Sequence, residues 1–181
     1  MRRLITTALP VSCLALVLAF DATACKRHRK PRVETVEEST PGLAAVVNMA
    51  DPRASAQLLK GFYDVEQNAW RWTMGKFSVT LRPPANAAQR GATLIVKFAI
   101  PDAVMSRTKS MTLSAIVNGA QIPGETYTSA GDHTYSKDVP ASALNTDAVT
   151  VDFALDKFLP PGTVDQRELG IVVTSVGFEA K

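Results

Sequence analysis

Three stretches of this sequence carry an apolar residue at every second position, and a chain patterned that way buries its apolar side by lying in a packed β-sheet. Leu94, Val96, Phe98 and Ile100 alternate with Thr93, Ile95, Lys97 and Ala99, and Pro101 ends the run. Met111, Leu113, Ala115 and Val117 repeat the pattern and lead into Asn118-Gly119. Both residues of that pair tolerate positive φ, so it predicts a type I′ hairpin turn. Val149, Val151, Phe153 and Leu155 form a third run, and the segment from Leu169 to Phe178 a closing strand. Gly, Pro, Asn and Asp separate the runs, and no long amphipathic helical pattern competes with them. The pattern therefore predicts an all-β fold, an antiparallel β-sandwich or barrel, with no internal repeat.

Composition narrows the class further. With 46% hydrophobic and 20% charged residues the chain can bury a real core, which excludes whole-chain disorder, a collagen-like rod and a polytopic membrane protein. The formal charge of +3 is concentrated in Lys26, Arg27, Arg29, Lys30 and Arg32. The rest is close to neutral, so nothing in the electrostatics points to nucleic acid.

That basic block follows an export-type N-terminus. Met1, Arg2 and Arg3 precede an apolar run from Leu4 to Phe20, which Asp21 ends; this is the layout of a signal peptide. Ala22-Thr23-Ala24-Cys25 then resembles the lipobox of bacterial lipoproteins, although Ala22 stands where that family usually has Leu. Cys13 lies inside the apolar run and leaves with it, so a processed chain keeps only Cys25 and has no intrachain disulfide. A thioether-linked lipid with palmitate-type acyl chains accounts for a lone cysteine at that position. An uncleaved signal anchor and ordinary cleavage near Ala24 are the alternatives. The more basic flank after the run would favour a cytoplasmic body for an anchor, while a run of about 17 residues containing Pro10 is short for a span.

After Cys25 comes a stretch of mixed charge with Glu34, Glu37, Glu38, Pro41 and Gly42 and no sustained apolar period, which reads as a flexible tether. Its basic residues either lie against anionic headgroups or are simply solvated. The expected organisation is a signal peptide over 1–24, a lipidated cysteine and tether over 25–48, and a β-sandwich domain over 49–181. Asp51-Pro52 predicts a turn leading to one helical turn over Ser55 to Gly61.

A search for chemistry finds little. The chain lacks the local His and Cys spacing of a zinc site, a phosphate-binding Gly-Lys-Ser/Thr loop, a Gly-x-Ser-x-Gly elbow and a Gly-x-Gly-x-x-Gly turn. A Ser-His-Asp triad would have to use His133 as its base. Paired carboxylates for glycoside hydrolysis would come from Glu66, Glu125, Glu168, Asp152, Asp156 and Asp165, none of which the sequence selects. The expectation is a protein without catalytic residues, metal or cofactor, whose core is large enough to fold without either a metal or a disulfide.

The densest local signal is Gly61-Phe62-Tyr63-Asp64-Val65-Glu66 followed by Trp70-Arg71-Trp72. On a strand, Trp70 and Trp72 share a face about 7 Å apart and Arg71 faces the other way. Exposed, the pair would be a platform for a sugar ring, with Glu66 or Arg71 bonding its hydroxyls. A small sandwich more often buries its tryptophans, and that places at least one of these in the core. It also puts Arg71 on the solvent side and requires a turn or bulge at Gly75, because Phe77, Val79 and Leu81 occupy odd positions. Arg167, between Asp165 and Glu168, either contacts an acidic or hydroxyl group of a ligand or pairs with Glu66 or Asp165 to pin the last strand.

The order Gly61-Phe62-Tyr63, Glu66, Arg71-Trp72, then Ala115-Ile-Val-Asn-Gly119, Gly131-Asp-His-Thr-Tyr-Ser-Lys-Asp-Val-Pro140 and Asp165-x-Arg-Glu-Leu-Gly-Ile171 resembles jelly-roll domains of the galactose-binding or carbohydrate-binding type. Such domains accompany bacterial surface-polysaccharide enzymes or occur as lipoproteins. The resemblance covers roughly residues 61 to 178 and implies a non-catalytic jelly-roll module, in some members stabilised by calcium; no compact acidic loop here supplies such a site.

Three functions follow as expectations: an envelope lipoprotein binding cell-surface glycan through Tyr63, Glu66, Trp70, Arg71, Trp72 and Arg167; a structural module gripping an envelope protein; and a small carboxylate-dependent glycosidase. The first two place the chain in the bacterial cell envelope, lipid-anchored, periplasmic or surface-facing. Metabolic labelling with a fatty-acid analogue is expected to tag the wild-type chain and miss Cys25→Ser; equal labelling of the two would rule out Cys25 as the anchor.

Overall fold

The structure is a computed structural model that describes residues 42–163 and 165–181. The signal peptide, Cys25 and most of the expected tether lie outside the described residues. Nine strands are described: β1 (Val46–Asn48), β2 (Leu58–Glu66), β3 (Trp70–Leu81), β4 (Ala92–Ile100), β5 (Met111–Val117), β6 (Ala120–Tyr127), β7 (Gly131–Val139), β8 (Val149–Leu155) and β9 (Val172–Ala180). Two short helices, α1 (Ala87–Arg90) and α2 (Asp102–Thr108), sit in the connections on either side of β4. Among the described residues no helix is long and apolar enough to cross a membrane.

The alternating runs become the inner faces of this sandwich. In β4, β5 and β8 every second side chain is buried, from Leu94 to Ile100, from Met111 to Val117 and from Val149 to Leu155. All pairings are antiparallel. One layer runs β1-β9-β4-β7 and the other β6-β5-β8-β3, with β2 added outside β3. Apart from the β2–β3 and β5–β6 hairpins, successive strands lie in different layers. Two interleaved layers in this order are the jelly-roll arrangement, so the expected antiparallel sandwich is the observed fold. Phe98 of β4 meets Tyr127 of β6 edge-on at 5.2 Å, and within one layer Phe77 of β3 stacks on Phe153 of β8 at 4.8 Å. The Asn118-Gly119 turn has φ of 44° and 86°, both positive as a type I′ turn requires.

Three local expectations are corrected. The sandwich begins before residue 49: β1 pairs Val46–Asn48 with β9, and the Ala44 N–H bonds the Gln57 side chain. A three-residue strand is too short to show a period, and its partner lies far along the chain. The helical turn covers Pro52–Ala56, a 3-10 turn capped by the Asp51 carboxylate, and Leu58 to Gly61 are already strand. Finally, β3 has no parity break. Residues 71, 73, 75, 77, 79 and 81 are all buried, so one continuous strand keeps its odd positions inward from end to end.

Gly75 is therefore a point of close approach and not a turn: the Phe158 ring lies where its Cβ would be, 2.3 Å away. The irregularity is in β2. Phe62 pairs with Thr73 but Lys60 pairs with Ser78, so β3 passes several residues across a short step of β2 at Gly61. Gly61 has φ of +76°, and a Cβ there would stand 2.1 Å from the Lys76 carbonyl oxygen. Gly119 shares a positive φ, but a Cβ there meets nothing within 4 Å. In urea titrations Gly119→Ala is expected to cost about 1–2 kcal/mol for its backbone conformation alone, and Gly61→Ala clearly more. Equal costs would show that the crossing at Gly61 is looser than described.

Candidate ligand-binding site

The sequence-selected residues converge where the β2–β3 hairpin meets the loop from β8 to β9. Arg167, in that loop, is held by Asp165 in an arrangement local sequence alone allows: Asp165 Oδ1 accepts from the Arg167 backbone N–H at 2.9 Å and from Nε at 3.1 Å, and Oδ2 from Nη2 at 2.9 Å. From there Nη1 reaches across to Glu66 Oε1 at 2.7 Å, and the guanidinium lies 5.2 Å from the centre of the Tyr63 ring. Both pairings considered for Arg167 are thus present at once. They join the β8–β9 loop to the end of β2. The loop has two more ties to the sandwich, Glu168 Oε1 accepting from the Gly75 N–H at 2.7 Å and the Leu159–Leu169 bridge.

The charges are set accordingly. Side-chain hydrogen bonding from Arg167, then the bond from its backbone N–H, hold the Asp165 carboxyl below the usual carboxylate range. The two carboxylates, Asp165 first and Glu66 second, raise Arg167 further above its ordinary value.

Trp70 and Trp72 are not where a core reading puts them. They occupy even positions of β3, on the outward face with Met74, and both are half-buried. Glu66 is the register partner of Trp70, and directly opposed residues of an antiparallel pair share a face, so its carboxylate stands on the tryptophan side. Trp72 is partly buried and packs against the core cluster. Arg71 is the residue that turns inward. It is 8% exposed, with Nη1 donating to the Tyr63 carbonyl at 3.1 Å and Nη2 to Ser55 Oγ at 3.2 Å. The expectation of a solvent-facing Arg71 is overturned because the odd-position alternation continues through the strand and sets its face whatever the bulk of the two tryptophans.

Tyr63, Glu66, Trp70, Trp72 and Arg167 therefore make one half-exposed aromatic and polar patch, and Arg71 lies beneath it on the other face of β3. Ser55, which helps hold Arg71, is a residue that sequence reasoning missed. It comes from the 3-10 turn, and no period or motif links it to β3.

Each of the six carboxylates considered for hydrolysis has a partner. Glu66 and Asp165 bond Arg167, Glu125 pairs with Lys137, Asp152 with Lys60, Glu168 accepts from Gly75 and Asp156 from the Thr112 N–H. A glycosidase acid needs its proton held at neutral pH, which an adjacent arginine opposes. His133 bonds the Ser129 carbonyl at 2.9 Å and lies beside the Phe98 and Tyr127 rings. Among the described residues no three side chains of His, Cys, Asp or Glu converge as metal ligands.

No family model matches the chain, and no curated protein does. Among solved structures it is similar to a family 35 carbohydrate binding module from an environmental isolate, at 14% identity and a TM-score of 0.39 over 80% of this chain and 90% of that one. It is also similar to TmCBM27, a carbohydrate-binding module studied for specific mannan recognition, at 10% identity and a TM-score of 0.47 over 77% and 97%.

The depressed Asp165 gives a pH dependence with a definite sign. Its contribution is complete above the unfolded carboxylate value of about 4 and is lost as the pH falls through the lower folded one. The Arg167 Nε–H resonance is therefore expected to hold its position from neutral pH to about pH 4 and to move only below it, and Asp165→Asn to abolish that transition. Movement of the same resonance near neutral pH would contradict the pairing.

Proposed function

We propose that this chain is a non-catalytic, lipid-anchored envelope protein whose sandwich binds a cell-surface glycan at the outward patch of β3. The observation that carries the proposal is the placement of Trp70 and Trp72 on the outer face, beside the Glu66–Arg167 pair. Sugars offer an apolar face of C–H groups and a rim of hydroxyls. Two aromatic side chains about 7 Å apart along one strand suit the first, and a fixed carboxylate and guanidinium with unused lone pairs and N–H groups suit the second. The pairing of Arg167 with Glu66 and Asp165 holds these groups in place before a ligand arrives, which reduces the ordering cost of binding. Export and the anchor at Cys25 would present the patch in the envelope, facing the periplasm or the surface.

A second reading has its own observation. Leu59, 52% exposed, lies on the outer strand β2, and Val46, 53% exposed, on β1, so two strands at the margins of their layers each present an apolar side chain. This suits an envelope protein partner that docks against a sheet edge.

A glycan-array screen of the exported protein separates the two. Binding is expected, with Trp70→Ala weakening it about tenfold or more, equivalent to about 1.4 kcal/mol, and leaving the melting temperature nearly unchanged. Full binding by Trp70→Ala would remove the patch from consideration. Absence of any glycan signal, with capture of a protein partner that Leu59→Asp abolishes, would favour the edge reading.

A further inference from the structure

Arg71 is a buried cation without a counter-ion. It is 8% exposed, yet among the described residues no carboxylate forms an ion pair with it. A guanidinium has five N–H donors. Two hydrogen bonds are made, to the Tyr63 carbonyl and the Ser55 hydroxyl, both neutral acceptors, and Nε is buried with no partner among the described residues. Burying a charge is unfavourable unless it is paired or fully hydrogen-bonded. Arg167, in the same corner of the fold, shows the usual solution, with two carboxylates on one guanidinium.

What remains exposed of Arg71 opens onto a cleft. Its walls are Ser55, Leu58 to Lys60, Phe62, Tyr63 and Asp64. The cleft is open and lined mostly by polar groups, with Leu58 and Phe62 among its apolar residues. Lys60 adds a positive charge at the rim, though it also pairs with Asp152 at 3.4 Å. Asp64 is exposed on the same cleft and makes no ion pair with Arg71; its charge opposes an anion there.

We infer that this cleft binds an oxyanion, a carboxylate, sulfate or phosphate group, whose oxygens accept from the N–H groups of Arg71 Nη1 and Nη2 that the Tyr63 carbonyl and Ser55 leave unused. Taking the source to be an acidic saccharide rests on the glycan reading above; the anion site itself does not. The acid group would enter on the Arg71 side of β3 while the neutral platform lies outward, and the two sites have only Tyr63 in common.

The test uses the full chain at constant ionic strength, with chloride replaced by sulfate, acetate or glucuronate, and with glucose as the uncharged counterpart of glucuronate. Sulfate and glucuronate are expected to raise the melting temperature by a few degrees over chloride, by preferential binding to the folded state. They are also expected to shift the Arg71 Nε–H resonance, while glucose does neither. Arg71→Gln should abolish the rise. Because that variant can fail to fold, two others read the site with Arg71 intact. Asp64→Asn should lower the anion concentration needed for half the shift by removing a repelling charge, and Ser55→Ala should alter that concentration without losing the fold. No anion-specific rise in the wild type, together with an unmoved Arg71 resonance, overturns the proposal. Sulfate and acetate acting as strongly as glucuronate keep the site but overturn an acidic saccharide as its occupant. Failure of the glycan array with an intact sulfate response overturns the glycan reading alone.

Discussion

One strand belongs to both layers of this sandwich, and the rest of the fold is arranged around it. β3 pairs with β9 at Arg71 and Trp72 and with β8 from Lys76 to Leu81, while β2 follows its other edge. Side-chain period along a strand is two, so a single-residue slip of β3 would turn Phe77, Val79 and Leu81 out to solvent and bring Met74 and Lys76 in. The inward sequence of Arg71, Thr73, Gly75, Phe77, Val79 and Leu81 shows how that register is matched at each point. Where β3 faces the core it offers apolar bulk, with Phe77 stacked on Phe153. At the changeover between partners it offers Gly75, where only a bare Cα admits the Phe158 ring. At the corner it offers Thr73, whose hydroxyl accepts from the Ile171 N–H at 3.2 Å and so ties the β8–β9 loop to the strand.

The parts legible in the sequence are those where burial is one-sided and local. β4, β5 and β8 alternate cleanly because one face of each meets the other layer and the opposite face meets water. The Asn118-Gly119 turn is legible because few other pairs accept two positive φ angles in succession. Asp165 and Arg167 lie two residues apart and could be paired on inspection. The illegible parts depend on distant chain. β1 is a strand only because β9 is there to pair with it. In β2 the register shifts at Lys60, Phe62 and Val65 destroy the alternation, so its outer position next to β3 leaves no period to read. The two tryptophans misled for a related reason: their size argues for the core on average, but face is decided by position in a register. Eleven residues of alternation from Arg71 to Leu81 outweigh the preference of two side chains.

The same register explains how the outward patch is tied to the rest of the fold. Trp70 is fixed by its pairing with Glu66 across the hairpin, Glu66 by Arg167, and Arg167 by Asp165 within its own loop. That loop is fixed in turn by Glu168 on Gly75 and by the Leu159–Leu169 bridge. Surface ion pairs contribute little to stability individually, because solvent competes for both partners. Here their effect is on position: each closes a circuit that begins and ends on β3. Removing one would leave the core intact while loosening the outward patch.

The two arginines of this corner divide the electrostatic roles between them. Arg167 is half-exposed and already carries two carboxylates, so an incoming acid group would have to displace Glu66 or Asp165 and leave it uncompensated. Its remaining capacity suits a neutral hydroxyl. Arg71 is the converse, with its charge out of water, two neutral acceptors and no counter-ion among the described residues. A hydroxyl there would add one more neutral acceptor, whereas an oxyanion would both accept from the unused donors and neutralise the charge. The outward aromatic patch and the buried arginine are thus separated by the alternation of a single strand, with Trp70 and Trp72 on one side and Arg71 between them on the other.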